Sequence, residues 1–211
     1  MYRLISATPS PYARKVRIQL IEKGIPFELI TEVPWNADTQ TPQYNPLEKL
    51  PVLICADGSS VFESRYINEW VELKHPEPAL VPKDVDGILA VKRFEIIVDA
   101  MCDAMVLMFF EKAREPDKRS PEWTARQKRK LDGGLRELAR VIADNHFAHG
   151  SVFSLADIAC GTVLKYIDVR WPEYSWRREY PDLAAYSDRL EQRPSFATTV
   201  PVPQVIRDKV A

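Results

Sequence analysis

Glycine and cysteine are scarce in this 211-residue chain, charge of one sign is not in excess, and long apolar runs are missing; each scarcity excludes something. The seven glycines (Gly24, Gly58, Gly87, Gly133, Gly134, Gly150, Gly161) form neither GxGxxG nor GxxxxGK[ST], which removes dinucleotide and phosphate binding by those motifs. The three cysteines, Cys55, Cys102 and Cys160, are far apart and make neither a CxxC pair nor an even disulfide framework, so they read as small core residues in a reducing compartment. With 29 basic against 30 acidic groups the net charge is -1, and no basic field exists to attract nucleic acid or an anionic membrane. No run approaches the ~18 apolar residues of a membrane span, and the segment Met1 to Ala7 meets polar, proline-rich sequence too early for a signal peptide. The expectation is a cytoplasmic protein.

What remains is an ordinary globular composition, 45% hydrophobic and 28% charged. A chain of this length buries roughly 70% of its unfolded surface, enough core for one large domain or two small ones.

The first third alternates strand and helix signals. Residues 2 to 7 are an apolar run broken by Thr8-Pro9-Ser10-Pro11, after which Val16, Leu20 and Ile21 recur at helical spacing as far as Gly24. A second β-rich run, Phe27 to Val33, makes this a βαβ unit. A polar stretch leads to Val52-Leu53-Ile54-Cys55, the Asp57-Gly58 turn of a hairpin, a short strand at Val61-Phe62, and a helix from Ser64 to Leu73. The order β-α-β-loop-β-β-α matches a thioredoxin-like architecture.

Three prolines, Pro76, Pro78 and Pro82, mark a semi-rigid connection, and strand signals stop beyond it. Phe94, Ile97, Met101, Met105, Met108 and Phe109 define a helix over 87–114. Ser120-Pro121-Glu122 caps a second helix carrying Leu131, Leu135, Leu138 and Ile142; its Arg126 to Lys130 run reads as a solvated face. Phe153-Ser154-Leu155-Ala156-Asp157-Ile158 is a capping box with a hydrophobic staple, opening a mostly apolar, buried helix to Arg170. A last amphipathic helix opens at Pro181-Asp182 and ends at Arg193-Pro194. The predicted organisation is thioredoxin-like over 1–76, a linker over 77–86, and all-helical over 87–211.

Candidate chemistry gathers in the first part. Ser10-Pro11-Tyr12-Ala13 stands where a strand meets a helix N-terminus, a position that favours an anion. A glutaredoxin has Cys-Pro-Tyr-Cys there; Ser10 and Ala13 replace both thiols, leaving a hydroxyl able to stabilise a ligand's thiolate, or simply to cap the helix. Pro51 begins a strand, and a cis Leu50-Pro51 bond would expose the Leu50 backbone to a peptide-like ligand, the ordinary trans bond being the alternative. Glu63 and Ser64 at a helix entry suit the ammonium and carboxylate of an amino-acid headgroup, with a plain cap as the other reading of Ser64. His146 and His149 with Asp144 form a weak metal constellation beside Gly150, a C-cap signal, and no metal is expected.

Taken together, Ser10-Pro11-Tyr12, Asn45-Pro46 through Leu50-Pro51-Val52-Leu53, Phe62-Glu63-Ser64-Arg65, Ser154-Leu155-Ala156-Asp157 and Asp182-Leu183 through Arg193-Pro194 resemble the cytosolic glutathione transferases over essentially the whole chain, and within them the serine-type bacterial members. The resemblance implies glutathione as co-substrate without a metal, a hydrophobic electrophile, and a homodimer with Arg65 at or near its interface. It further implies that Ser10 activates the thiol, that Leu50 and Pro51 present backbone to the cysteinyl unit, that Glu63 and Ser64 hold the γ-glutamyl end, and that Lys49 lies near the glycine carboxylate. Tyr12, Trp35, Met105, Phe109 and Trp171 are the expected electrophile pocket. Glu48 departs from the family's common glycine, which puts the turn from Asn45 to Leu50 in question. The alternative function is a non-catalytic binding or interaction module on the same fold.

Overall fold

The computed structural model describes residues 1–143 and 145–208. Its first part runs β1 (Tyr2–Ser6), α1 (Pro11–Glu22), β2 (Phe27–Thr31), a 3₁₀ turn (Thr41–Gln43), β3 (Val52–Ile54), β4 (Ser60–Phe62) and α2 (Ser64–Lys74). The four strands form one sheet in the order β2-β1-β3-β4. β1 and β2 are parallel, with Tyr2 opposite Phe27, as a helical crossover between them requires. β3 runs antiparallel to both β1 and β4, and Gly58, at φ 87°, makes the left-handed turn of the β3-β4 hairpin.

Among the described residues six α-helices follow, with a 3₁₀ turn (Pro116–Lys118) between the first two: α3 (Val85–Ala113), α4 (Pro121–Ile142), α5 (Leu155–Arg170), α6 (Trp176–Glu179), α7 (Pro181–Glu191) and α8 (Pro194–Ala197). A thioredoxin-like sheet domain is thus joined to an all-helical one. α3 starts two residues before the expected position because Asp84 caps it, accepting the Gly87 N–H at 2.8 Å. Pro194 does not end the helical region. Its missing N–H and fixed φ suit a first helical position, and it opens α8. α6 is a single turn without a periodic signal.

α5 is the axis of the helical domain, buried without interruption from Leu155 to Leu164. Asp157 fastens its start, accepting from Ser154 N–H at 2.8 Å, Ala148 N–H at 2.7 Å and the Tyr186 hydroxyl at 2.8 Å. Gly161 lets α7 and α8 approach closely; a β-carbon there would stand 2.6 Å from the Phe196 ring.

α1 is shared between the two cores. Val16 and Leu20 pack with Leu4, Leu53 and Ile67 beneath the sheet, while Ile18 belongs to the helical core with Val91 and Val163. Two buried cations from α1 reach the helical domain: Arg14 bonds both oxygens of Glu191 at 2.9 and 3.0 Å, and Lys15 meets Asp99 at 2.5 Å. The connection between α2 and α3 is also held at both sides. Lys23 Nζ bonds the carbonyls of His75 and Pro78, and Leu155 N–H bonds the Leu80 carbonyl. Among the described residues no helix is long and apolar enough to cross a membrane.

Candidate functional site

One cavity of about 480 Å³ opens where the sheet domain meets α3 and α5. Its sheet-domain wall is formed by three chain reversals that the topology brings together: the β1-α1 junction, the turn before β3, and the β4-α2 junction.

At the first, Ser10 is the N-cap of α1, and its Oγ accepts the Ala13 N–H at 3.2 Å. Capping uses a lone pair of the hydroxyl and leaves its proton available to an acceptor in the cavity. Tyr12, the second residue of α1, also lines the cavity, but its hydroxyl donates to Asp103. Burial, reinforced by Cys102 and Asp103, raises the Tyr12 pKa far above that of an ordinary phenol, so this side chain stays protonated.

At the second reversal the Leu50-Pro51 bond is cis, and both residues line the cavity. The β3 ladder begins only at Val52, which leaves Leu50 outside the sheet. Glu48 takes the left-handed conformation that glycine would adopt, φ 56°, and Asn45 bridges the turn by accepting Leu47 N–H at 2.9 Å and donating to the Lys49 carbonyl. The turn closes without the glycine. Lys49 lies exposed on the cavity rim.

At the third, Glu63 is the N-cap of α2 with φ 72°, a second left-handed non-glycine residue, and its side chain caps nothing. Ser64, buried at the first position of α2, stands beside it with its Oγ 3.5 Å from Glu63 Oε1. The free N–H groups of the α2 N-terminus therefore share the cavity with one acid and one hydroxyl.

The opposite wall is mostly apolar. Asp103, Val106, Leu107 and Phe110 recur along α3, and Tyr166 and Arg170 project from α5. Trp35 packs edge to face on Phe110, their centroids 4.4 Å apart. Ser10, Lys49, Leu50, Pro51, Glu63, Ser64, Tyr12, Trp35 and Phe109 all meet at this cavity.

Met105 and Trp171 do not line it. Met105 is fully buried in the helical core. At 100° per residue it sits about 200° around α3 from Asp103, on the Met101 and Met108 side. Trp171 is the C-cap of α5, where the chain leaves the helix, and its ring packs on Tyr166 instead.

The sequence reading missed Asp103, Val106, Leu107 and Phe110, although their i, i+3, i+4, i+7 spacing is a second stripe on α3 opposite the core stripe. It also missed Gln204 and Ile206, which reach the cavity because the chain after α8 returns to the sheet domain. Thr8 and Val202 exchange two hydrogen bonds, and Gln204 Nε2 bonds the Glu32 carbonyl. No local pattern signals such a long-range return.

The thiols Cys102 and Cys160 are held protonated by complete burial. Among the described residues no group of three or more His, Cys, Asp or Glu side chains could hold a metal ion. Asp144, of the His146 and His149 constellation, lies outside the described residues.

The family profile for the glutathione S-transferase N-terminal domain matches residues 9–74, and that for the C-terminal domain matches residues 121–189. An uncharacterized GST-like protein of Escherichia coli K12, YibF, is 36% identical over 199 residues, covering 94% of this chain and 98% of the relative. The crystal structure of a glutathione S-transferase from Methylobacterium radiotolerans, in complex with glutathione sulfonate, is 59% identical with a TM-score of 0.98, over 100% of this chain and 99% of that one. A second, from Methylobacillus flagellatus with glutathione bound, is 34% identical with a TM-score of 0.92, over 96% of this chain and 100% of that one. With both domain profiles matched in order and these relatives aligned from end to end, the chain belongs to the glutathione S-transferase family.

Proposed function

We propose that this protein binds glutathione in the sheet-domain half of the cavity and activates its thiol for attack on an electrophile held in the apolar half. The observation that carries the reading is the convergence of Ser10, Leu50, Glu63 and Ser64 on one cavity whose far wall belongs to the helical domain. Glutathione has an ammonium and a carboxylate at one end, a peptide centre and a thiol; Glu63, the α2 N-terminus with Ser64, the unpaired Leu50 backbone and the Ser10 hydroxyl complement these in turn. Lys49 supplies a charge for the glycine carboxylate.

In this reading Ser10 donates its hydroxyl proton to the thiolate while still capping α1. A thiol of ordinary pKa, about 8.5, is only a few per cent ionised at neutral pH, and a fall of about two units would raise the thiolate fraction roughly 25-fold. Part of that gain is lost because nucleophilicity falls with basicity, with a slope of about 0.4–0.5 borrowed from disulfide exchange. Positioning of the two substrates therefore contributes more than ionisation. Tyr12 is not the activating donor in this mechanism, because its proton is engaged by Asp103.

Titration calorimetry with reduced glutathione tests the binding step. Saturable binding is expected, and Glu63→Ala should weaken it at least about tenfold, or about 1.4 kcal/mol. No binding at millimolar ligand would refute the assignment. Turnover across aromatic halides, peroxides and enones then separates an enzyme from a binding module, which would bind and not react.

The proposed assembly is a homodimer in the cytoplasm. Tyr66 on α2 and Leu89 and Ile96 on α3 leave apolar side chains exposed, and Arg65, next to Tyr66 in the chain and half exposed, meets Asp99 of α3 through its Nε at 3.2 Å. Sedimentation at micromolar concentration should give twice the 24.2 kDa of the chain, and a monomer mass throughout would refute the dimer.

A further inference from the structure

Arg170, in the electrophile half of the cavity, is the candidate with an unanswered charge. It is the last residue of α5, lines the cavity, and places its guanidinium carbon 4.5 Å above the Phe109 ring and 5.8 Å from the Tyr166 ring. Its Nε is buried without a hydrogen-bond partner among the described residues. The other arginine with a buried unpartnered nitrogen, Arg14, is a different case, since its guanidinium already holds Glu191 through two bonds.

The nearest acid in sequence is not available to Arg170. Asp168 accepts from Trp176 Nε1 at 2.9 Å and from Arg177 Nη2 at 2.7 Å. Asp103, which shares the cavity, is exposed to water and accepts the Tyr12 hydroxyl hydrogen bond. Glu48 and Glu63 stand at the opposite, sheet-domain wall. Arg170 therefore faces aromatic rings and open cavity, an arrangement that stacks and orients a guanidinium without neutralising it. Arg170 is half-buried and its Nε is fully covered, so the unpartnered group carries a cost, and a ligand carboxylate would supply both the charge and the acceptor for Nε.

We infer that the electrophile this enzyme accepts carries a carboxylate, set on an apolar or aromatic body, which pairs with Arg170 while the body packs against Phe109, Phe110 and Trp35. The inference rests on the glutathione reading above and specifies the class of its second substrate. Because the guanidinium presents a planar fork, it pairs best with a planar carboxylate.

Two glutathione adducts of matched shape test this without turnover: S-(4-carboxybenzyl)glutathione and S-(4-carbamoylbenzyl)glutathione, each titrated calorimetrically into the full-length protein alongside reduced glutathione. The carboxylate adduct should bind about tenfold or more tightly than the amide, as a charge-assisted hydrogen bond allows. That preference should shrink as salt rises. In Arg170→Gln the ratio of the two dissociation constants should fall to within about twofold, and in Arg170→Lys, which keeps the charge without the fork, it should be intermediate. Using the ratio cancels any general loss of affinity in a variant. Equal binding of the two adducts by the unmodified protein, with reduced glutathione still bound, would overturn the inference alone. Survival of the preference in Arg170→Gln would do the same. Failure of all three ligands to bind would overturn the glutathione reading, and the inference with it.

Discussion

Ser10→Ala removes one oxygen that the structure gives two tasks, and the two losses are measured separately. The first is the cap: Ser10 Oγ accepts the Ala13 N–H at 3.2 Å, and replacing a serine N-cap with alanine costs about 1 kcal/mol. For a chain of this size that lowers the unfolding midpoint by about 2–4 °C. The second is the proposed hydrogen bond to the thiolate, a bond to a charged group worth about 1.5–3 kcal/mol. Through ionisation alone this predicts a loss of only a few-fold in kcat/KM with an aromatic halide at neutral pH, because the more basic thiolate is also the better nucleophile; any loss beyond that measures the positioning of the sulfur by Ser10. The apparent pKa of bound glutathione in the pH-rate profile should rise by about one to two units, since each unit is about 1.4 kcal/mol of differential stabilisation. Ser10→Thr, which keeps a hydroxyl at the cap, should recover part of both. The assays are initial rates at saturating glutathione across pH, paired with thermal unfolding of the same preparations. A variant with a lowered unfolding midpoint but unchanged kcat/KM and pH profile would show that Ser10 only caps α1, and the proposed catalytic role would fall.

Two further predictions concern the framework behind the site. Asp157→Ala leaves Ala148 N–H, Ser154 N–H and the Tyr186 hydroxyl buried without an acceptor, and should destabilise the protein by about 3 kcal/mol or more in denaturant unfolding; a loss below about 1 kcal/mol would mean that water or a rearrangement satisfies those donors. Glu22 joins α1 to the last helices through Arg193, at 2.8 and 3.0 Å, and Ser195; burial acts to raise its pKa, but these donors outweigh it and leave the carboxyl below its ordinary 4.5. A depressed folded-state pKa contributes stability above the unfolded value that is lost as pH falls through the folded one, so Glu22→Gln should be less stable than the unmodified protein by about 1 kcal/mol at pH about 7, and the gap should close as pH falls below the ordinary carboxylate value of 4.5. A gap that persists undiminished in acid would refute the pairing as its cause.

Much of the architecture was legible in the chain because its signals are local. Ser10-Pro11, Ser120-Pro121 and Ser154 with Asp157 announce helix starts through the hydrogen bonds a cap requires, and the Asp57-Gly58 turn announces its hairpin through a conformation that glycine adopts freely. Ser10, Leu50, Glu63 and Ser64 were readable as candidates for the same reason, each lying at a strand or helix terminus where backbone groups are unpaired. Helical periodicity likewise identified the core stripe of α3, Met105 included, but it does not say which stripe faces a cavity; the resemblance also drew Met105 into the expected electrophile pocket, whose α3 wall is the stripe of Asp103, Val106, Leu107 and Phe110.

Other features were decided only when distant segments met. Arg14 and Lys15 look like surface residues of an amphipathic helix, and their burial depends on Glu191 and Asp99 arriving from α7 and α3 to compensate their charges. Gln204 and Ile206 enter the cavity because the chain beyond α8 pairs with Thr8 and Glu32, nearly two hundred residues away along the chain for the Thr8 contact at a separation of 194. Arg170 is ordinary as the last residue of a helix; only the packing of α5 against α3 sets it over Phe109, with its Nε unpartnered among the described residues. Periodicity and capping are fixed by neighbours within about one turn of chain, so the sequence by itself determined the longer elements and most of their ends, whereas the short α6 and α8, charge compensation and cavity lining depend on which elements pack together, and tertiary structure alone decides that.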